Sequence, residues 1–431
     1  MNTPKLERIA RALSRLEVRG TFSCIHREPA HGLGVDVDGV GRVELPLCEA
    51  SAEALIAEAT PSCFGYRDQT RHDTEVRDSL EIAGDRVHLD PRVWSRRFDR
   101  GLREVALALG FPPGVEVTAR LHKLVIYRAG HFFAPHRDTE RDPNMRATLV
   151  VLLPSAYEGG ALVVTHGDRR VVHDTATERR DQITFLGLYA DCLHEIRPVT
   201  SGYRVALTYG VHVDGPAPPP AVAEGSFPDL QGALRAHFGA GPVEEGPAWL
   251  VYLLDHHYAA QSLDWASLKN GDRVHVDALR AVASELAYDV YLALADVHEW
   301  YEFDAERGRG GHGVPPGGYG RCLGLELTLH HWVDGEGRPC HGSGEPADDS
   351  VVVSTGDPHQ RAAYERSYEP WTGNEGGEAE QWYHQAALIV VPRASERHRE
   401  IVGDAGEPGV GDEAITTSPP PSRVIVRSRR R

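Results

Sequence analysis

Four residues in the middle of the chain have the types and spacing of a metal site with an anion clamp beside it. The run YRAGHFFAPHRD places His136 and Asp138 two apart. The run LHEIRPVTSGYRVALT places His194 58 residues after His136 and Arg204 ten after His194. Two imidazoles and one carboxylate on one face of a metal leave the opposite positions open, an arrangement that suits Fe(II) activating O2. A bidentate 2-oxo acid would fill two of those positions and O2 the third. Arginine stays charged when buried and offers a planar fork, so Arg204 suits the far carboxylate of such an acid. Tyr127 and Thr208 add hydroxyl donors for the same group.

Strands must position these side chains. Residues two apart on a strand share a face, so one strand would present both His136 and Asp138. The preceding LHKLVIY is rich in β-formers, and Gly130 supplies a turn. Pro198 closes the strand holding His194, Ser201-Gly202 reads as a turn, and YRVALTYGV as the next strand. Alternation places Arg204, Ala206 and Thr208 on one side of it, and the hairpin sets Arg204 beside His194. Two-apart His/Asp pairs recur at His88/Asp90 and His275/Asp277, but neither precedes a histidine strand, a glycine turn and an arginine strand in succession. His275 also opens a helical pattern, on which residues two apart diverge.

The segment resembles the Fe(II)/2-oxoglutarate-dependent dioxygenases, most closely their prolyl 4-hydroxylase-like branch. The shared features are Tyr127-x-x-Gly130 before His136-x-Asp138, the Glu158-Gly159-Gly160 hairpin, and His194-Glu-x-x-Pro-Val-x-x-Gly-x-Arg204. The resemblance implies an α+β fold with a double-stranded β-helix (jelly-roll, cupin-like) core and flanking helices. It implies iron on His136, Asp138 and His194, and 2-oxoglutarate on Arg204 with Tyr127. It further implies hydroxylation of a C–H bond in a prolyl or other residue of a peptide or protein, with ascorbate as a reductant. A free amino acid or small natural product is the alternative substrate, and a non-catalytic metal-binding or sensor module the alternative role. Related halogenases lack the carboxylate that Asp138 supplies. The sequence departs from the branch at Phe133, where Tyr is common, and at Ala161-Leu162, where a polar residue often follows the glycine pair.

The remainder of the chain is read from composition and periodicity. With 431 residues, 41% hydrophobic and 25% charged, it has room for two globular domains. Residues 1–114 read as helical and strand support for the barrel, 115–214 as the oxygenase core, and 215–225 (GPAPPPAVAEG) as a linker. Residues 226–405 read as a mixed α/β accessory domain and 408–431 as an unstructured tail. Helices are expected over 94–110, 229–238 and 275–296. A net charge of -17 disfavours nucleic acid as a partner. Six scattered cysteines without a Cys-x-x-Cys pair suit a reducing, cytoplasmic setting, and no apolar run approaches the ~20 residues that span a bilayer.

Overall fold

The computed structural model describes residues 4–66, 69–71, 73–112, 114–138, 142–176, 181–214, 227–239, 247–303, 319–342, 346–356, 363, 365–369, 378–403 and 423–426. The chain divides into two units, Arg19–Pro218 and a second made from Met1–Val18 with Pro219–Arg431. Helices α1 (Pro4–Ser14), α2 (Glu49–Glu58), α3 (Pro91–Ala108), α4 (Pro228–Phe238), α5 (Asn270–Glu285) and α6 (Glu396–Gly403) accompany the sheets. No helix among the described residues is long and apolar enough to cross a membrane.

The unit Arg19–Pro218 is built on two antiparallel sheets. The larger runs in the order Ser23–Pro29, Gln182–Tyr189, Met145–Leu153, Val199–Asp214, Glu116–Arg128, Leu80–Ala83, Thr60–Pro61. The smaller runs Arg169–His173, Leu162–His166, Leu193–Ile196, Phe132–His136, Arg77–Asp78. The sequence accounts for the difference in burial. Met145–Leu153 (MRATLVVLL) and Gln182–Tyr189 (QITFLGLY) are apolar on both faces and central, while Arg169–His173 (RRVVH) is an edge.

Helix α3 covers the larger sheet. Pro91 stands at its first turn and the Asp90 side chain accepts from the Arg92 N–H, so both N-terminal signals coincide. Trp94, Leu102 and Val105 are buried in the same apolar cluster as Phe185 and Leu188 of the sheet. Gly101 is needed for this approach, because a Cβ there would lie 2.6 Å from the Phe185 ring. Charge reinforces the packing: Arg100 of α3 binds Glu28 of the sheet through both prongs of its guanidinium.

The second unit contains a sheet ordered Pro339–Cys340, Tyr319–Val333, Tyr288–Phe303, Glu378–Pro392, Leu250–Leu253, Val352–Ser354. Here three expectations are corrected. Helix α1, expected to support the barrel, instead buries Leu6, Ile9 and Leu13 with Leu230 and Leu234 of α4. The helix expected over 275–296 stops at Glu285, and Tyr288–Phe303 is a strand. In that strand Ala293, Ala295, Val297, Glu299 and Tyr301 are buried at every second position, so the period of two wins over helix propensity. Within the tail expected to lack structure, Arg423–Val426 pairs in parallel with Glu365–Glu369. The expected linker 215–225 lies outside the described residues, as does most of the glycine-rich stretch 308–321.

Candidate metal centre and its pocket

His136 is the last residue of Phe132–His136 and is paired directly with His194 of Leu193–Ile196. Asp138 is not on that strand, contrary to the expected two-apart placement. Pro135 has no N–H to give the ladder, the register shifts between Phe133 and His136, and the strand ends there. The Asp138 N–H is held by the Ala190 carbonyl at 3.0 Å, which returns its carboxylate to the two imidazoles. His136 Nε2 is 3.8 Å from one carboxylate oxygen and His194 Nε2 is 3.7 Å from the other. One ligand atom from each of the three residues falls within 4.8 Å of the others.

The orientation of both rings is fixed from behind. His136 Nδ1 donates to the Ala134 carbonyl (2.9 Å) and His194 Nδ1 to the Cys192 carbonyl (3.0 Å). With the proton on Nδ1, each Nε2 keeps its lone pair toward Asp138. Burial, with His194 adding to it, pushes the His136 imidazole down to about 3, so the ring stays neutral. The Thr148 hydroxyl donates to Asp138 Oδ2 at 2.5 Å. Phe133 stacks on His136 with ring centres 3.4 Å apart and an interplanar angle of 18°, and the Arg77 guanidinium lies 4.5 Å from the Phe133 ring centre. Sequence reasoning did not single out Thr148 or Arg77. Thr148 sits between Ala147 and Leu149 in a strand that reads mostly as core, which hid it.

Beside this triad is a cavity of about 210 Å³. Its wall includes Tyr127, Leu162, Ile196, Arg204, Ala206 and Thr208. The expected alternation therefore holds, since Arg204, Ala206 and Thr208 all line it. The expected hairpin does not hold. Leu193–Ile196 belongs to the smaller sheet and Val199–Asp214 to the larger, so the chain changes sheet at Arg197-Pro198. Arg204 reaches the same cavity as His194 from the other sheet.

Arg204 is 1% exposed, and none of its three guanidinium nitrogens has a hydrogen-bond partner. The neighbouring Tyr157 hydroxyl donates instead to the Thr175 carbonyl at 2.6 Å. A buried cation without a counter-charge is costly, and an incoming carboxylate would relieve that cost. The glycine pair of the sequence motif makes room for the Arg204 side chain. Gly159 and Gly160 have φ of +73° and +65°, and a Cβ on Gly160 would lie 2.9 Å from Arg204 Cδ. Thr208 lines the cavity, yet its hydroxyl donates to the Lys123 carbonyl at 3.2 Å.

The rival pairs are engaged elsewhere. His88 bonds Asp38 at 3.1 Å, and Asp90 caps α3. His275 bonds the Tyr252 hydroxyl at 2.7 Å. The six cysteines are free.

Residues 122–212 match the family profile of the 2OG-Fe(II) oxygenase superfamily. No curated protein matches the chain. Among solved structures, a 2OG-Fe(II) oxygenase family oxidoreductase from Burkholderia pseudomallei is 18% identical, covering 48% of this chain and 90% of that one, with a TM-score of 0.26. A Pseudomonas putida prolyl-4-hydroxylase is 16% identical, covering 48% of this chain and 100% of that one, with a TM-score of 0.27. A Trichoplax adhaerens prolyl hydroxylase, in complex with a hypoxia inducible factor oxygen degradation domain peptide fragment, is 15% identical, covering 49% and 94%, with a TM-score of 0.30.

Proposed function

We propose that this chain, which carries the 2OG-Fe(II) oxygenase superfamily signature over residues 122–212, is an Fe(II)- and 2-oxoglutarate-dependent oxygenase that hydroxylates a C–H bond. The paired sheets of the unit Arg19–Pro218 are read as its double-stranded β-helix. His136, Asp138 and His194 hold the metal, and Arg204 binds the distal carboxylate of 2-oxoglutarate. With both bound, O2 is reduced as 2-oxoglutarate is oxidised to succinate and CO2, and one oxygen atom goes to the substrate.

The protein's own residues set the conditions for that chemistry. The Ala134 and Cys192 carbonyls hold the Nδ1 protons, so His136 and His194 present Nε2. Thr148 holds Asp138, and the apolar wall of Leu162 and Ile196 limits water around the co-substrate. The observation that carries the reading is the Arg204 guanidinium, buried beside a His/Asp/His triad with no hydrogen bond on any of its three nitrogens. A sensor that used the metal only structurally would gain nothing from that cation.

The leading substrate is a prolyl or other residue of a peptide or protein, on family resemblance. A free amino acid or small natural product is the second reading, favoured by the basic side chains around the cavity. Incubation with Fe(II), 2-oxoglutarate and O2 tests the reaction class. Succinate formation that needs all three supports it, and its absence across peptide and amino-acid substrates rejects it. A substrate gaining 16 Da would then identify the target.

A further inference from the structure

The second unit carries a cavity of about 730 Å³, within the ~300–1,000 Å³ range of small-molecule sites. Its walls all come from Pro219–Arg431. They are the later turns of α5, the start of the strand Tyr288–Phe303, the turn around Asp334–Arg338, Arg393, and Ile401 of α6. Ala281, Val290 and Ile401 give it apolar surface, together with the rings of Tyr288 and Tyr291. None of the metal-site residues lines it, so it stands independently of the proposed function.

The charged side chains of the wall are engaged with the protein itself. Arg393 binds one oxygen of Asp289 at 2.8 Å, and His398 the other at 2.6 Å. Arg338 binds Asp334 at 2.8 Å and also pairs with Glu336. Arg280 lies over the Trp265 ring at 4.1 Å, donates to the Gly335 carbonyl at 3.3 Å and is attracted by Asp277. Asp277 in turn lies 3.9 Å from Arg273, and the exposed Glu285 accepts from Gln231 at 2.8 Å. A charged ligand would meet walls whose charges already have partners.

The Tyr291 hydroxyl is different. Tyr291 is 6% exposed, yet its hydroxyl makes no hydrogen bond among the described residues. The ring is held edge-on to Trp332, with centres 6.0 Å apart. Burial, with Asp289, Cys340 and Asp334 adding to it, pushes the phenol up to about 12. The group therefore stays a neutral O–H donor. Those three neighbours all line the cavity, so the hydroxyl belongs to it. A buried hydroxyl without an acceptor is unfavourable, and a ligand oxygen would supply one.

We propose that this cavity binds an uncharged, largely apolar small molecule whose carbonyl or ether oxygen accepts from the Tyr291 hydroxyl. That makes the second unit a ligand-binding module.

The test uses the full chain and four probes of similar size, followed by saturation-transfer NMR. Acetophenone is neutral with an acceptor, toluene is neutral without one, and benzoate and benzylammonium carry opposite charges. Acetophenone should bind at least about three-fold more tightly than toluene, as expected of one neutral hydrogen bond. Tyr291→Phe should abolish that advantage and leave toluene unchanged, because only the hydroxyl is removed. Ala281→Trp should weaken both by filling the cavity from α5. Absence of saturable acetophenone binding overturns the proposal, as does equal affinity for acetophenone and toluene. An advantage undiminished in Tyr291→Phe puts the donor elsewhere and overturns it too. So does tighter binding of benzoate or benzylammonium that Ala281→Trp removes, which would make the cavity a site for ions.

Discussion

Arg204 faces Tyr127 across a pair of hydrogen-bonded strands, its guanidinium carbon 5.4 Å from the phenol ring centre. The ring lies beside a guanidinium whose three nitrogens make no hydrogen bond. Two consequences pull in opposite directions. In the ligand-free protein Arg204 is a burden, since its desolvated charge is uncompensated. With a carboxylate bound it becomes the anchor.

Arg204→Leu should therefore weaken 2-oxoglutarate binding without lowering the thermal midpoint of the ligand-free protein. Breaking a buried charge pair costs on the order of 2–5 kcal/mol, roughly thirty-fold or more in affinity. Arg204→Lys should lose less, because it keeps the charge but not the fork. Calorimetry with the Mn(II)-loaded protein measures the first effect and thermal unfolding the second. Wild-type affinity in Arg204→Leu would assign the anchor to another cation.

Gly160→Ala should reproduce part of that loss from outside the cavity. The new Cβ would come within 2.9 Å of Arg204 Cδ and 3.0 Å of Val199, at a φ of +65° that disfavours any L side chain. Metal affinity should stay near wild type, since Gly160 touches none of the three ligands. A 2-oxoglutarate affinity unchanged by this substitution would show that the Arg204 stem has room to move.

The triad was legible because imidazole and carboxylate types, spacing and strand context all agreed. Its exact backing was not. That Asp138 lies beyond the strand follows from Pro135 and a register shift, which depend on the partner strand. That Arg204 and His194 belong to different sheets depends on where the chain crosses over, and Pro198 marks the spot without giving the direction. Thr148 was hidden because its neighbours in MRATLVVLL read as core. Helix α1 was assigned to the wrong unit, since Leu6, Ile9 and Leu13 describe an apolar stripe but not what it packs against. The 275–296 segment failed at Glu285, where helical and strand periods overlap.

Glu28→Gln should destabilise the unit Arg19–Pro218 in a pH-dependent way. Burial alone would raise the Glu28 carboxyl, but its bonds to Arg100 and His26 outweigh that and hold it below the ordinary value of 4.5. A lowered folded value means the stabilisation is present above about 4.5 and is lost as pH falls through the folded value. The variant's thermal midpoint should thus fall at pH 7, and the gap to wild type should close on acidification below 4.5. A gap that is constant with pH would point to packing of α3 and not to the ion pair.

Thr148→Val should weaken metal binding while leaving the fold unchanged. The hydroxyl donates to Asp138 Oδ2 at 2.5 Å, and that oxygen is the one 3.7 Å from His194 Nε2. Valine fills nearly the same volume at this buried position, so the main loss is the hydrogen bond. Loss of a group that orients a metal ligand costs typically 10–100-fold in affinity, and a decrease of roughly that size is expected for Mn(II). Thr148→Ser keeps the hydroxyl and should retain most of the affinity. The comparison matters because Asp138 has left its strand and depends on the Ala190 carbonyl and Thr148 for its direction. If Thr148→Val binds Mn(II) as wild type does, the Thr148 hydroxyl is not needed to position the carboxylate.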